Sequence, residues 1–310
     1  NGPRWWFSSW NPADDRIVVS RNEPGGGLEL MDPFTGQTIA PVAGALPADH
    51  VTHPAWSPDG SLIAYVSGTN AWGGAHTSGD LSLLEVTGPD SFGATQLLTP
   101  AASVPGGTTI SYPTWTPDSK RIAFAHGTGG RSETDQASLY IVDRDGNNLV
   151  RLDRANGGAA TTDTFQPNFS PFDQGGYFWL MFLSRRDYGN AEVGTRGTGR
   201  QQLWVTAISK QSAGGDPSQV AYWLPGQDTQ SMNIAGYWAP RPCRDDGADC
   251  SVGTECCSGT CAPDSSGALV CSPPPPDRCR QKNETCSTTA DCCPGKDLIC
   301  IDNVCQNVVN

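Results

Sequence analysis

Through residues 1–242 the apolar positions fall in short runs cut by turns rich in Gly, Pro, Asp and Asn, and the longest run, Tyr177 to Leu183, is seven residues. Runs of this length, bounded by turn residues and carrying many β-branched and aromatic side chains, predict strands. They also come in order. A run ending at an aromatic is followed by a second, such as Leu62-Ile63-Ala64-Tyr65-Val66 or Ile122-Ala123-Phe124-Ala125. A third follows: Leu28-Glu29-Leu30-Met31, Leu81-Ser82-Leu83-Leu84, Leu139-Tyr140-Ile141-Val142 and Leu203-Trp204-Val205-Thr206. A fourth comes after a polar turn, clearest where Asp143 to Asn148 precedes Leu149-Val150-Arg151-Leu152. The predicted unit is a succession of strands joined by tight turns, repeated along the chain.

The first run of each unit carries a motif. His53-Pro54-Ala55-Trp56-Ser57-Pro58-Asp59-Gly60 returns as Tyr112-Pro113-Thr114-Trp115-Thr116-Pro117-Asp118-Ser119, as Phe165-Gln166-Pro167-Asn168-Phe169-Ser170-Pro171, and more weakly as Phe7-Ser8-Ser9-Trp10-Asn11-Pro12. The anchoring aromatics Trp10, Trp56, Trp115, Phe169 and Trp238 are 46, 59, 54 and 69 residues apart, the period of a four-stranded propeller blade with variable loops. Pro presets φ, Asp hydrogen-bonds its own backbone and Gly takes positive φ, so Asp59 and Asp118 read as turn formers. These residues resemble the WD40-like repeat of bacterial TolB-type β-propellers, with blades two and three matching nearly throughout. The resemblance implies an all-β propeller of four-stranded antiparallel blades over residues 1–242.

Four full blades are followed by one more first-strand signature, Ile234-Ala235-Gly236-Tyr237-Trp238-Ala239-Pro240. A lone closing strand of this kind leads to the expectation that an N-terminal fragment, one to three blade equivalents, completes a larger ring. The rival expectation is a closed ring of four blades capped by Trp238.

All 12 Cys lie between Cys243 and Cys305, whereas all 10 Trp lie at or before Trp238. The tail repeats one six-cysteine frame, each copy with a vicinal pair, in modules 243–271 and 279–310 joined by a Pro-rich linker, 272–278. Segments this short bury too little apolar surface to fold alone, so covalent staples are expected, and with them an oxidising compartment. Spacing alone leaves the connectivity of each module open. The frames resemble the inhibitor cystine knot, or knottin, which implies the pairs Cys243–Cys257, Cys250–Cys261 and Cys256–Cys271, then Cys279–Cys293, Cys286–Cys300 and Cys292–Cys305.

With 20 basic against 32 acidic residues and no basic cluster, the chain lacks the electrostatic footprint for binding nucleic acid or anionic lipid. No apolar run approaches the roughly 18 to 20 residues a spanning helix needs, so membrane insertion is not expected. Neither a nucleophile elbow, a zincin helix, a phosphate loop nor a dinucleotide fingerprint occurs, and no cofactor is implied. His50-x-x-His53 is a weak candidate metal pair at a blade entrance; a polar loop and a strand-edge side chain account for it better, since the sequence places no carboxylate or third ligand beside them. The reading that follows is a non-enzymatic binding or scaffold protein, secreted, periplasmic or at the cell surface. Its propeller loops and knottin modules would recognise protein or glycan. The alternative is a metal-assisted polysaccharide lyase or hydrolase with its site in the propeller funnel.

Overall fold

The computed structural model describes residues 5–21, 23, 25–71, 73–172, 176–187, 200–211, 214–228, 230–239, 244–251, 253–256, 258, 260–273, 285–286, 292, 298–301 and 304–307. The chain separates into two compact units, Asn1–Trp238 and Ala239–Asn310. The first is a β-propeller of four antiparallel four-stranded sheets, each formed by consecutive strands. Blade 1 comprises β1 (Trp5–Trp10), β2 (Ile17–Arg21), β3 (Leu28–Met31) and β4 (Thr38–Ile39). Blade 2 comprises β5 (Thr52–Trp56), β6 (Leu62–Ser67), β7 (Asp80–Gly88) and β8 (Ser91–Thr99). Blade 3 comprises β9 (Thr109–Trp115), β10 (Arg121–Gly127), β11 (Ala137–Asp143) and β12 (Val150–Arg151); blade 4 comprises β13 (Thr164–Phe169), β14 (Tyr177–Ser184), β15 (Gln202–Ser209) and β16 (Tyr222–Trp223).

Because a strand points successive side chains to opposite faces, each middle blade feeds two cores. Ile63 and Tyr65 join Val18, Leu30 and Phe92 between blades 1 and 2, while their neighbours Ala64 and Val66 join Phe124 and Trp115 between blades 2 and 3. In β10, Ile122 and Phe124 face blade 2, and Ala123 and Ala125 face Phe165, Phe178 and Phe182 toward blade 4. Strands buried on both faces read as continuous apolar runs, which is why β6 and β10 show no polar alternation.

The turn after each anchor is held by its own side chains. Ser57 Oγ donates to Asp59 Oδ1 (2.7 Å) and accepts from the Leu62 N–H (3.0 Å), and Thr116 repeats both contacts with Asp118 and Arg121. Gly60 takes φ +75° there; Ser119 (58°) and Asp14 (56°) occupy the same position in blades 3 and 1. Blade 1 thus keeps the turn without a glycine, since Asp tolerates the left-handed region better than most residues.

Successive blades are joined by a recurring latch. The Trp56 N–H donates to Ser9 Oγ (2.8 Å) and the Phe169 N–H to Thr114 Oγ1 (3.2 Å). The Trp115 indole Nε1–H donates to the Ala55 carbonyl (2.9 Å), and that of Trp238 to the Asn168 carbonyl (3.0 Å). In every case the acceptor sits on the residue just before the preceding blade's anchor. Trp238 therefore docks on blade 4 as Trp115 docks on blade 2, and a Cβ on Gly236 would come within 2.6 Å of both Leu203 and Met181. The expected closing strand is nevertheless not a strand: among the described residues, 232–239 form no ladder, and the docking on blade 4 rests on the Trp238 indole bond. Innermost strands pack β1 on β5, β5 on β9 and β9 on β13; among the described residues no packing of that extent joins β13 to β1.

The second unit is built on cystines. The described bonds are Cys250–Cys261, Cys256–Cys271, Cys286–Cys300 and Cys292–Cys305. Pairs Cys243–Cys257 and Cys279–Cys293 lie outside the described residues. Hairpins β17 (Cys261–Pro263) with β18 (Leu269–Cys271), and β19 (Leu298–Ile301) with β20 (Val304–Asn307), bring one cysteine from each bond together. Cys250, Cys256 and Cys271 form one buried cluster and Cys286, Cys292 and Cys305 another, so sulfur takes the place of an aliphatic core. Closing loops of 11 to 15 residues removes about 3 kcal/mol of denatured-state entropy per bond. Such bonds belong to an oxidising, extracytoplasmic setting. Among the described residues no helix is long and apolar enough to cross a membrane.

Candidate functional site

Each innermost strand slips register three residues before its anchor, between Trp5 and Ser8, Thr52 and Ala55, Ser111 and Thr114, and Phe165 and Asn168. At the bulge His53 (φ 49°), Tyr112 (52°) and Gln166 (48°) adopt the left-handed conformation. A non-glycine residue held there costs on the order of 1–3 kcal/mol, and a bulge re-aims the side chain out of the sheet. Phe7 is the equivalent residue of blade 1.

These side chains meet. Phe7 stacks on His53 with centroids 3.8 Å apart, and Tyr112 packs edge-on against His53 at 4.1 Å and against Phe7 at 5.5 Å. The His76 ring lies 5.3 Å from that of His53. His53 is 3% exposed, and among the described residues neither ring nitrogen has a hydrogen-bond partner. Burial, and secondarily His76, hold its pKa well below the ordinary histidine value, so the ring is neutral. His76 is also lowered by burial, although Nδ1 lies 2.9 Å from the Gly73 carbonyl and Nε2 3.2 Å from that of Ile110. Burial, with Glu133 adding to it, pushes the Tyr112 phenol up.

The cluster floors a cavity of about 300 Å³ to which all four innermost strands contribute. Its walls include Ser9, Pro54, Trp56, Thr114, Trp115 and Asn168. Among the described residues its lining holds no carboxylate, amine or guanidinium. Tyr112 is shared with a second cavity of about 270 Å³ bordered by Trp6, Arg131, Glu133 and Gln166.

The sequence-derived candidates separate. His50 Nδ1 lies 2.9 Å from the Thr69 carbonyl and lines another cavity with Arg21 and Glu23, so the two imidazoles of His50-x-x-His53 face different spaces. Asp59 serves its turn: partial burial works to raise its carboxyl, but hydrogen bonds from Ser57 and Ser61 and the Arg144 guanidinium outweigh it and hold the pKa at about 2. Asp118 bonds Thr116 and Lys120 in the same way. Trp56, Trp115 and Phe169 wall the cavity; Trp10 does not. Among the described residues, the sets of three candidate ligand atoms lying close together are the buried cysteines of each module, all in disulfides. Phe7, Tyr112 and Gln166 were missed as axial groups; the signal was their shared place, three residues before each anchor.

Sheet topology and axial convergence define the class of this unit as a β-propeller. No family model and no curated protein matches the chain. Among solved structures, a TolB described as putative from Agrobacterium tumefaciens is similar at 19% identity and TM-score 0.42, over 69% of this chain and 65% of that one. TolB from Acinetobacter baumannii is similar at 14% identity and TM-score 0.42, over 68% of this chain and 50% of that one. An oligogalacturonate lyase in complex with manganese is similar at 12% identity and TM-score 0.40, over 68% and 51%. The chain thus spans about half to two thirds of the length of these structures.

Proposed function

We propose that this protein is a recognition or scaffold protein that acts outside the reducing cytoplasm, binding protein or glycan at the propeller axis and through its cystine modules. The observation that carries the reading is the axial cavity: neutral hydrogen-bonding groups and aromatic walls surround His53, and the described lining holds no carboxylate, amine or guanidinium. Tyr112, the other titratable group of that described lining, is pushed up by burial while His53 is held down, so both rings are uncharged at neutral pH. The tail modules are proposed to be cystine knots, completed by Cys243–Cys257 and Cys279–Cys293; Asp249–Val270 and Thr285–Val304 bridges set a third segment beside each hairpin, which supports this.

The test is turnover. Purified full-length protein is incubated with neutral and acidic polysaccharides and casein, with and without Mn²⁺, Ca²⁺ or Zn²⁺. Reducing ends, the absorbance of unsaturated uronates and released peptides are followed. No turnover is expected. Turnover that disappears in His53→Phe would overturn the reading and establish the lyase or hydrolase alternative. Partial reduction followed by peptide mass mapping checks the knots, and any pairing other than Cys243–Cys257 and Cys279–Cys293 refutes them.

A further inference from the structure

Resting on the recognition reading, we infer that the axial cavity is a binding site for one uncharged saccharide unit, hydrogen-bonded by His53, Ser9, Thr114 and Asn168 against the tryptophan and proline walls. A void of about 300 Å³ is at the small end of ligand sites, the scale of a single ring. Because the described lining carries no charge, a charged ligand would be desolvated there without a partner, at a cost that neutral groups do not incur.

The hydrogen-bonding inventory narrows the chemistry further. Ser9 Oγ and Thr114 Oγ1 each accept a backbone N–H from the following blade, which leaves each hydroxyl proton to point elsewhere. Neither hydroxyl donates to another described group. The Asn168 side-chain amide is likewise unused within the described structure, its backbone carbonyl alone serving the Trp238 latch. His53 completes the set: a neutral imidazole offers one donor and one acceptor, and both of its nitrogens are buried and unpaired. A buried polar group left in that state costs about 1–3 kcal/mol, which a ligand that both donates and accepts would recover. A sugar hydroxyl does both from one atom. The C–H faces of a pyranose meanwhile suit the indole of Trp56 and the rings of Pro58, Pro117 and Pro171, the less buried apolar bodies of the lining.

The experiment uses the full-length protein with cellobiose, maltose and N,N′-diacetylchitobiose as neutral probes and digalacturonate as the charged one, followed by tryptophan fluorescence and calorimetry. Saturable binding of at least one neutral disaccharide is expected, with digalacturonate at least tenfold weaker. His53→Phe keeps the stacking and burial and removes both nitrogens; it should weaken binding at least tenfold. Should that variant not fold, Asn168→Ala serves, since the lost amide holds nothing else, and a loss of threefold or more is expected. The inference is overturned if no neutral probe saturates, if digalacturonate binds as well as they do, or if the folded variants bind unchanged. Saturation by a neutral peptide such as Ala-Ala-Ala, without any by the saccharides, would also overturn it while leaving the recognition reading standing. Turnover would instead sink that reading.

Discussion

Trp115 and Trp10 hold the same place in the repeat and live in different surroundings. Trp115 is 5% exposed, wedged against blade 2 with its indole bonded to Ala55, whereas Trp10 is 50% exposed on a strand whose Trp5 and Trp6 are also open. Phe169, also 5% exposed, matches Trp115. The motif therefore encodes a joint between blades. Trp115 and Phe169, which latch onto the preceding described blade, are core, and their burial reports that neighbour as much as the strand that carries them.

The comparison yields graded expectations. Trp115→Ala should cost about 3–5 kcal/mol in chemical denaturation, the range for emptying a large buried aromatic site. A cost equal to that of Trp10→Ala would break the distinction. Next comes the acid side of stability. His53 is lowered by burial and then by His76, so its contribution is complete above the unfolded value near 6.5 and is lost as pH falls below it toward the folded value. The slope approaches one proton, about 1.4 kcal/mol per pH unit. His76 and His126, both lowered by burial, act with the same sign, so the His53→Phe difference in denaturation midpoint between pH 7.5 and 5.5 isolates this ring. Equal pH profiles for the two proteins would contradict its burial as a neutral group.

Smaller effects sharpen the joint itself. Ser9→Ala removes the acceptor for the Trp56 N–H and should cost about 0.5–1.5 kcal/mol. The same loss from Ser8→Ala, one residue away with no bond to that N–H, would deny the latch a role. The smallest effect belongs to Trp10→Ser, within about 0.5 kcal/mol for an exposed side chain outside any core.

How much of this was legible beforehand follows from where the signals lie. The blades were, because β6 and β10 are doubly buried and so spell unbroken apolar runs, and because the Ser57 and Thr116 turns need the residue types that the motif shows. The fourth strands were less so: β4, β12 and β16 keep two residues each while β8 runs for nine, although each is the outermost strand of its blade. Leu149 to Leu152 was expected to run as a strand, yet Leu152 leaves it to be buried at the start of a short helix, α1 (Asp153–Asn156). The axis was hidden for a different reason. A bulge inverts the facing of one residue without changing any hydrophobic period, so Phe7, His53, Tyr112 and Gln166 look like ordinary strand positions. Four of the six disulfide pairs suggested by resemblance lie among the described residues and are present; spacing by itself would not have chosen them.

The left-handed residues at the bulges make the axis addressable. Each blade contributes one side chain there from a backbone excursion that the blade's own core does not use. Changing Gln166 to His or Asn would rewrite the chemistry of the cavity it borders with Trp6, Arg131 and Glu133 while leaving the interlocked aromatics untouched. The repeats thus behave like the wheels of a combination lock, a stable barrel carrying one exchangeable digit per blade. Variation at these few positions would diversify what such a protein holds long before it threatened how the protein folds.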